Sequence, residues 1–139
     1  MQFYGIIIKI TKFNLEMTMN IHESGEMYLE NIYVLSQQMS GVRSIDIVNH
    51  TGYSKPSISR AIGLLKDEGL ILVDKKGYIT LTEQGEARAI KIYERHELLT
   101  EFFTKIGVPE DIASADACKI EHVISDETFE AIKKHAKIK

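Results

Sequence analysis

Cys118, Glu121 and His122 are the residues whose types and spacing most directly suggest chemistry. In a helix of about 3.6 residues per turn, spacings of three and four put a thiol, a carboxylate and an imidazole on one face. Mixed sulfur, oxygen and nitrogen donors suit a divalent transition metal such as iron, manganese, cobalt or zinc, and suit calcium or magnesium poorly. The competing reading is a packed cysteine beside a solvated glutamate and histidine. Further donors lie elsewhere: Met27 and Glu30, three apart on one helix face, and His96, midway along a later helix. Taken alone, each reads as a packing or surface residue. The run His96 to Glu101 lacks the second histidine at i+4 that a zinc-protease helix needs, and no Gly-rich phosphate loop or Ser/His/Asp signature is present.

The chain of 139 residues is long enough for one ordinary domain, or a small domain with a helical appendage. Its 44% hydrophobic and 27% charged residues are those of a folded protein. One cysteine excludes an intramolecular disulfide and fits a reducing, cytoplasmic setting. The apolar run Phe3 to Ile8 is far short of the roughly 20 residues that span a bilayer, so no membrane partner is expected. Charge is uneven along the chain. Residues 42 to 81 hold six Lys or Arg against four acids, giving +2, whereas residues 82 to 127 hold five against eleven, giving −6. A mildly basic module thus precedes an acidic one.

The elements that must position these residues are legible in turn. Residues 1–20 form an N-terminal extension whose Ile6, Ile7 and Ile8 favour a short strand or arm, with Met17 and Met19 as alternative starts. A helix opening near Glu23 to Glu26 turns Leu29, Ile32 and Tyr33 inward. A second, Ser44 to about Thr51, presents Ile45 and Val48, and Gly52 gives a left-handed exit. Ser54 then caps a third helix, Pro56 fits its first turn, Ile58, Ile62 and Leu65 follow at core spacing, and Gly69 ends it. Two short helices joined around a glycine make a helix-turn-helix, whose second helix can enter the DNA major groove. Its exposed side offers Ser54, Lys55, Ser57, Ser59 and Arg60, small hydroxyls and cations suited to phosphates and base edges.

Leu70 to Val73 and Tyr78 to Leu81 read as a hairpin around an Asp74 to Gly77 turn, a wing with Lys75 and Lys76 at its tip. A long helix runs from Thr82 to about Ile106, with Ala87, Ile90 and Tyr93 and then Leu99, Phe102, Phe103 and Ile106 as its apolar faces. Another spans Pro109 to Cys118 and continues into the metal triplet, and Ser125 caps the last. The expected fold class is therefore mainly α: a winged helix-turn-helix domain at residues 21–82, then an α-helical metal-binding and dimerisation domain at residues 83–139. Arg43, Ser54, Lys55, Pro56, Ser57, Ser59, Arg60, Lys75 and Lys76 are the candidate DNA contacts.

Four runs in this order carry a resemblance: Glu26-Met27-Tyr28-Leu29-Glu30-Asn31-Ile32-Tyr33, Ser54-Lys55-Pro56-Ser57, Arg95-His96-Glu97-Leu98-Leu99 and Cys118-Lys119-Ile120-Glu121-His122-Val123-Ile124-Ser125. Over about residues 22 to 139 the chain resembles the diphtheria toxin repressor and manganese transport regulator family. The resemblance implies a homodimeric repressor that binds a palindromic double-stranded DNA operator when loaded with Fe(II) or Mn(II), with Co(II), Ni(II) or Zn(II) as substitutes in vitro. Met27, Cys118, Glu121 and His122 then match the activating site of the iron branch, His96 a ligand shared by both branches, and Glu30 a bridging glutamate of the manganese branch. Thr100 and Ser114 stand where the iron branch's second site would have Glu and His, and its SH3-like domain is not expected. Met and Cys lean the site toward iron, and the need for a thiolate and neutral imidazoles makes metal affinity fall with acidification. Two rivals are an oxidation sensor acting through Cys118 and a metal-dependent hydrolase using Glu121 as base.

Overall fold

The structure, a computed structural model, describes residues 22–137. The expected N-terminal arm lies outside the described residues. The chain divides into two compact units, with the break between Gly85 and Glu86.

The first unit opens with α1 (His22–Gln38), which buries Tyr28, Leu29, Ile32 and Leu35 while Tyr33 is half-buried. After α1, Val42 bridges to Ile79 of the hairpin, and the Ile79 amide donates to the Val42 carbonyl at 2.8 Å. Next comes α2 (Ser44–Thr51), whose first amides are organised by Asp46 accepting from the Arg43 amide at 2.8 Å. Its buried residue is Ile47, whereas Ile45 is 45% exposed and Val48 half-buried, against the expected phase. Residues two apart on a helix lie about 200° apart, so a two-turn helix apolar on both sides leaves the inward face undecided until α1 and α3 pack on it. Gly52 exits at φ 76°, the left-handed conformation that glycine adopts without steric cost.

In α3 (Lys55–Asp67), Ser54 accepts from the Ser57 amide, Pro56 occupies the first turn, and Ile58, Ala61, Ile62 and Leu65 form the buried face. Strands β1 (Ile71–Val73) and β2 (Ile79–Leu81) pair antiparallel with Ile71 opposite Leu81 and Val73 opposite Ile79. Each starts one residue later than expected. In the turn, one Asp74 carboxylate oxygen accepts from the amides of Lys76 and Tyr78, both at 2.9 Å, which fixes the wing tip.

Helix α4 (Glu83–Lys105) begins just before the break. Thr82 caps it by accepting from the Gly85 amide at 3.1 Å and donating to the Gly69 carbonyl at 2.7 Å. A Cβ on Gly85 would run into the Leu70 carbonyl, so only glycine allows this approach of α4 to the residue that leads into β1. The buried stripe of α4 is Ala89, Ile92, Arg95 and Leu99, not Ala87, Ile90 and Tyr93: Ala87 is exposed and the other two half-buried. Because the stripe contains an arginine, hydrophobicity alone puts it out of phase. At the far end Phe102 and Phe103 are half-buried and Ile106 is 64% exposed. The small residues Ala113 and Ala117 are the buried positions of α5 (Glu110–Ile120). Ser125 caps α6 (Asp126–Lys137) by accepting from the Thr128 amide at 3.1 Å, and α6 buries Phe129.

Candidate metal centre and nucleic-acid interface

The second unit gathers three of the expected ligands. His96 projects from α4. Glu121 is the residue just beyond α5, its amide still bonded to the Ala117 carbonyl at 2.9 Å, and His122 lies in the turn that follows. The Glu121 side chain is fully buried, with one carboxylate oxygen 2.9 Å from His96 Nδ1 and the other 3.2 Å from His122 Nε2. The other nitrogen of His96, Nε2, is 3.3 Å from the Ser114 hydroxyl of α5.

A carboxylate removed from water is costly unless positive charge or hydrogen bonds meet it. The His96 ring, hydrogen-bonded to one carboxylate oxygen, meets part of that need, and the two imidazoles are borderline nitrogen donors beside a hard oxygen donor, the set that divalent iron, manganese and zinc accept. The residues present therefore fit a transition-metal ion. Cys118, in the last turn of α5, is exposed while Glu121 is buried. Helix α5 ends at Ile120, but Glu121 keeps helical backbone angles and the Ile124 amide still donates to the Ile120 carbonyl at 3.0 Å, so it is exposure that separates Cys118 from Glu121.

Thr100 and Ser114 both engage His96: the Thr100 hydroxyl donates to the His96 carbonyl at 2.7 Å, and the Ser114 hydroxyl meets the ring. One residue in this region had no assigned role in the sequence. Arg95, buried on α4, donates through Nη1 to the carbonyls of Glu121 at 3.2 Å and Ile124 at 2.9 Å, and through Nη2 to the Asp126 carboxylate. Only its place beside His96 hinted at it.

In the first unit, Met27 and Glu30 share α1 and both are half-buried. The Met27 sulfur accepts from the Tyr53 hydroxyl at 3.5 Å, and the rings of Tyr28 and Tyr53 meet edge to face at 5.9 Å. Tyr53 lies in the turn between α2 and α3, immediately before the Ser54 cap, and sequence reasoning passed over it. Burial, and then the Tyr53 phenol, raise the Tyr28 phenol above its usual 10.0.

Ser54, Lys55, Pro56, Ser57, Ser59 and Arg60 are all exposed, as are Lys75 and Lys76 at the wing tip. Their arrangement gives α3 a polar, cationic outer face with no acidic side chain before Asp67. Arg43 is engaged within the unit: its guanidinium donates to the Lys76 carbonyl and lies 4.5 Å from the centre of the Tyr78 ring. It ties the wing to the start of α2.

The chain thus sets a helix-turn-helix with a basic wing before a helical unit that places two imidazoles on a buried carboxylate. Residues 82–137 match the family model described as the iron dependent repressor, metal binding and dimerisation domain. Over 106 residues, 76% of this chain, the sequence is 32% identical to the transcriptional regulator MntR of Escherichia coli O6:H1 and covers 68% of it. It is 31% identical over the same length to the iron-dependent repressor IdeR of Mycobacterium tuberculosis, of which it covers 46%. Among solved structures, a manganese-dependent transcriptional repressor in complex with manganese superposes with a TM-score of 0.75 at 26% identity, over 83% of this chain and 53% of that one. The manganese regulator SloR gives 0.72 at 29% identity, over 80% of this chain and 52% of its own. The chain thus spans about half the length of these structures. It belongs to the diphtheria toxin repressor and manganese transport regulator family of metal-dependent transcriptional repressors.

Proposed function

We propose that the chain is a homodimeric repressor that binds a palindromic operator when it holds Fe(II) or Mn(II), and that His96, Glu121 and His122 are the fixed part of its metal site. The observation that carries this reading is the fully buried Glu121 carboxylate set between two imidazoles. Met27, Glu30 and Cys118 are the remaining ligands proposed. A bound divalent ion would supply the positive charge that the buried carboxylate calls for. Glu121 binds through oxygen, His96 and His122 hold their rings against it, and Ser114 fixes the orientation of the His96 ring.

On the DNA side, Lys55, Ser57, Ser59 and Arg60 of α3 read the major groove, and Lys75 and Lys76 neutralise phosphates from the wing. Pairing of two copies supplies the second reading head, and the exposed apolar side chains Ile106, Ile112 and Val123 of the second unit support such pairing. The names of the relatives favour metal control over redox control by Cys118. Operator binding followed by fluorescence anisotropy under anaerobic conditions tests the reading. Affinity should rise with Fe(II) or Mn(II), fall with chelator and ignore peroxide. Equal affinity with and without metal, or loss of binding on peroxide treatment alone, would remove it.

A further inference from the structure

We infer that Arg95 is the positioning residue of the metal site: a buried guanidinium that holds the Glu121–His122 turn in register with His96. The inference rests on the reading of His96, Glu121 and His122 as ligands and adds a residue to it. Helix α5 ends at Ile120, and the carbonyls of Glu121 and Ile124 that follow it lie at the negative end of the helix dipole. The Arg95 side chain, 10% exposed, places Nη1 between two carbonyls of this region, Glu121 at 3.2 Å and Ile124 at 2.9 Å. Those residues bracket the turn, with the two ligands at its near end.

The same guanidinium is fixed from the other side. Nη2 donates to the Asp126 carboxylate in the first turn of α6, and Cζ lies 5.1 Å from the centre of the Phe129 ring. A planar fork with donors in fixed directions can span two carbonyls and a carboxylate together, which a lysine ammonium on a flexible stem cannot. Arg95 and His96 are consecutive on α4. A side chain that fixes the turn relative to Arg95 therefore fixes Glu121 and His122 relative to His96.

The alternative is that Arg95 only stabilises the fold. Pre-organisation makes a different prediction, because losing it lowers the affinity of the folded protein for metal and loosens the geometry around the ion. Outer partners of metal ligands are worth roughly ten- to hundredfold in affinity. The test is an anaerobic Co(II) titration of the full chain, wild type, Arg95→Lys, Asp126→Asn and Glu121→Gln, read by ligand-field spectrum and by calorimetry, with circular dichroism to confirm folding. Arg95→Lys should bind Co(II) roughly ten- to hundredfold more weakly with a shifted spectrum while keeping its helical content. Asp126→Asn, at an exposed position, should shift the spectrum in the same direction by less, and it keeps the test decisive if Arg95→Lys does not fold. Wild-type affinity and spectrum in a folded Arg95→Lys, or in Asp126→Asn where Arg95→Lys does not fold, beside an altered Glu121→Gln, would overturn the inference and leave the site standing. An unaltered Glu121→Gln would overturn the site and the inference together.

Discussion

At the scale of residues, metal binding depends on which side chains are held and by what. Glu121 is buried with its oxygens 2.9 and 3.2 Å from two imidazole nitrogens, so its removal should do more than delete one ligand. Glu121→Ala is expected to lower metal affinity beyond the roughly hundredfold that outer partners reach, measured by competition with a chelating dye. His122 and Cys118 were both named from spacing, but their burial was not readable. Helical periodicity puts Cys118, Glu121 and His122 on one face, but it does not say which of them the neighbouring helices cover: Glu121 is buried and Cys118 exposed. Tyr28 supplies a prediction at alkaline pH. Its folded phenol is raised above 10.0, so its contribution to stability is whole below that value and is lost as pH rises through the folded one. Thermal melts from neutral to strongly alkaline pH should show that loss, and Tyr28→Phe should remove this component of it.

At the scale of elements, the helix-turn-helix and wing were the most legible parts of the chain. Gly52, Ser54, Pro56, Asp74 and Gly77 each act through local backbone chemistry that survives without tertiary context. Core phase in α2 and α4 was less legible. Two apolar faces compete in the short α2, and a buried arginine replaces a hydrophobe in the stripe of α4. Gly85 shows a further kind of constraint, in which a helix meets the backbone of Leu70, just before β1, with no room for a Cβ. Gly85→Ala should cost about 1–3 kcal/mol of unfolding free energy, the usual range for overpacking, as read by denaturant melts. On the outer face of α3, Arg60→Ala should weaken operator binding while metal uptake stays unchanged. Replacing Lys75 and Lys76 together with alanine should lower the slope of log affinity against log salt by roughly 1.8, if each neutralises one phosphate.

At the scale of the molecule, the proposed switch divides its labour between the helix-turn-helix and wing, which would read DNA, and the second unit, whose His96, Glu121 and His122 would hold the ion. The charge split between residues 42 to 81 and 82 to 127 made this division visible in the sequence, although the net charge of −3 hid it. Linkage requires that coupling run both ways, so operator DNA must tighten metal binding by the same factor that metal tightens operator binding. Calorimetric Mn(II) titrations with and without operator should reveal that factor. The most direct test of the central claim is the affinity of the full chain for a palindromic duplex selected from a random pool, measured anaerobically with Mn(II), with Fe(II) and with excess chelator. We expect binding to strengthen at least about tenfold with metal, a coupling of roughly 1.4 kcal/mol or more, and Glu121→Gln to erase the difference. Equal affinity in metal and chelator, or a metal response that survives Glu121→Gln unchanged, would contradict it.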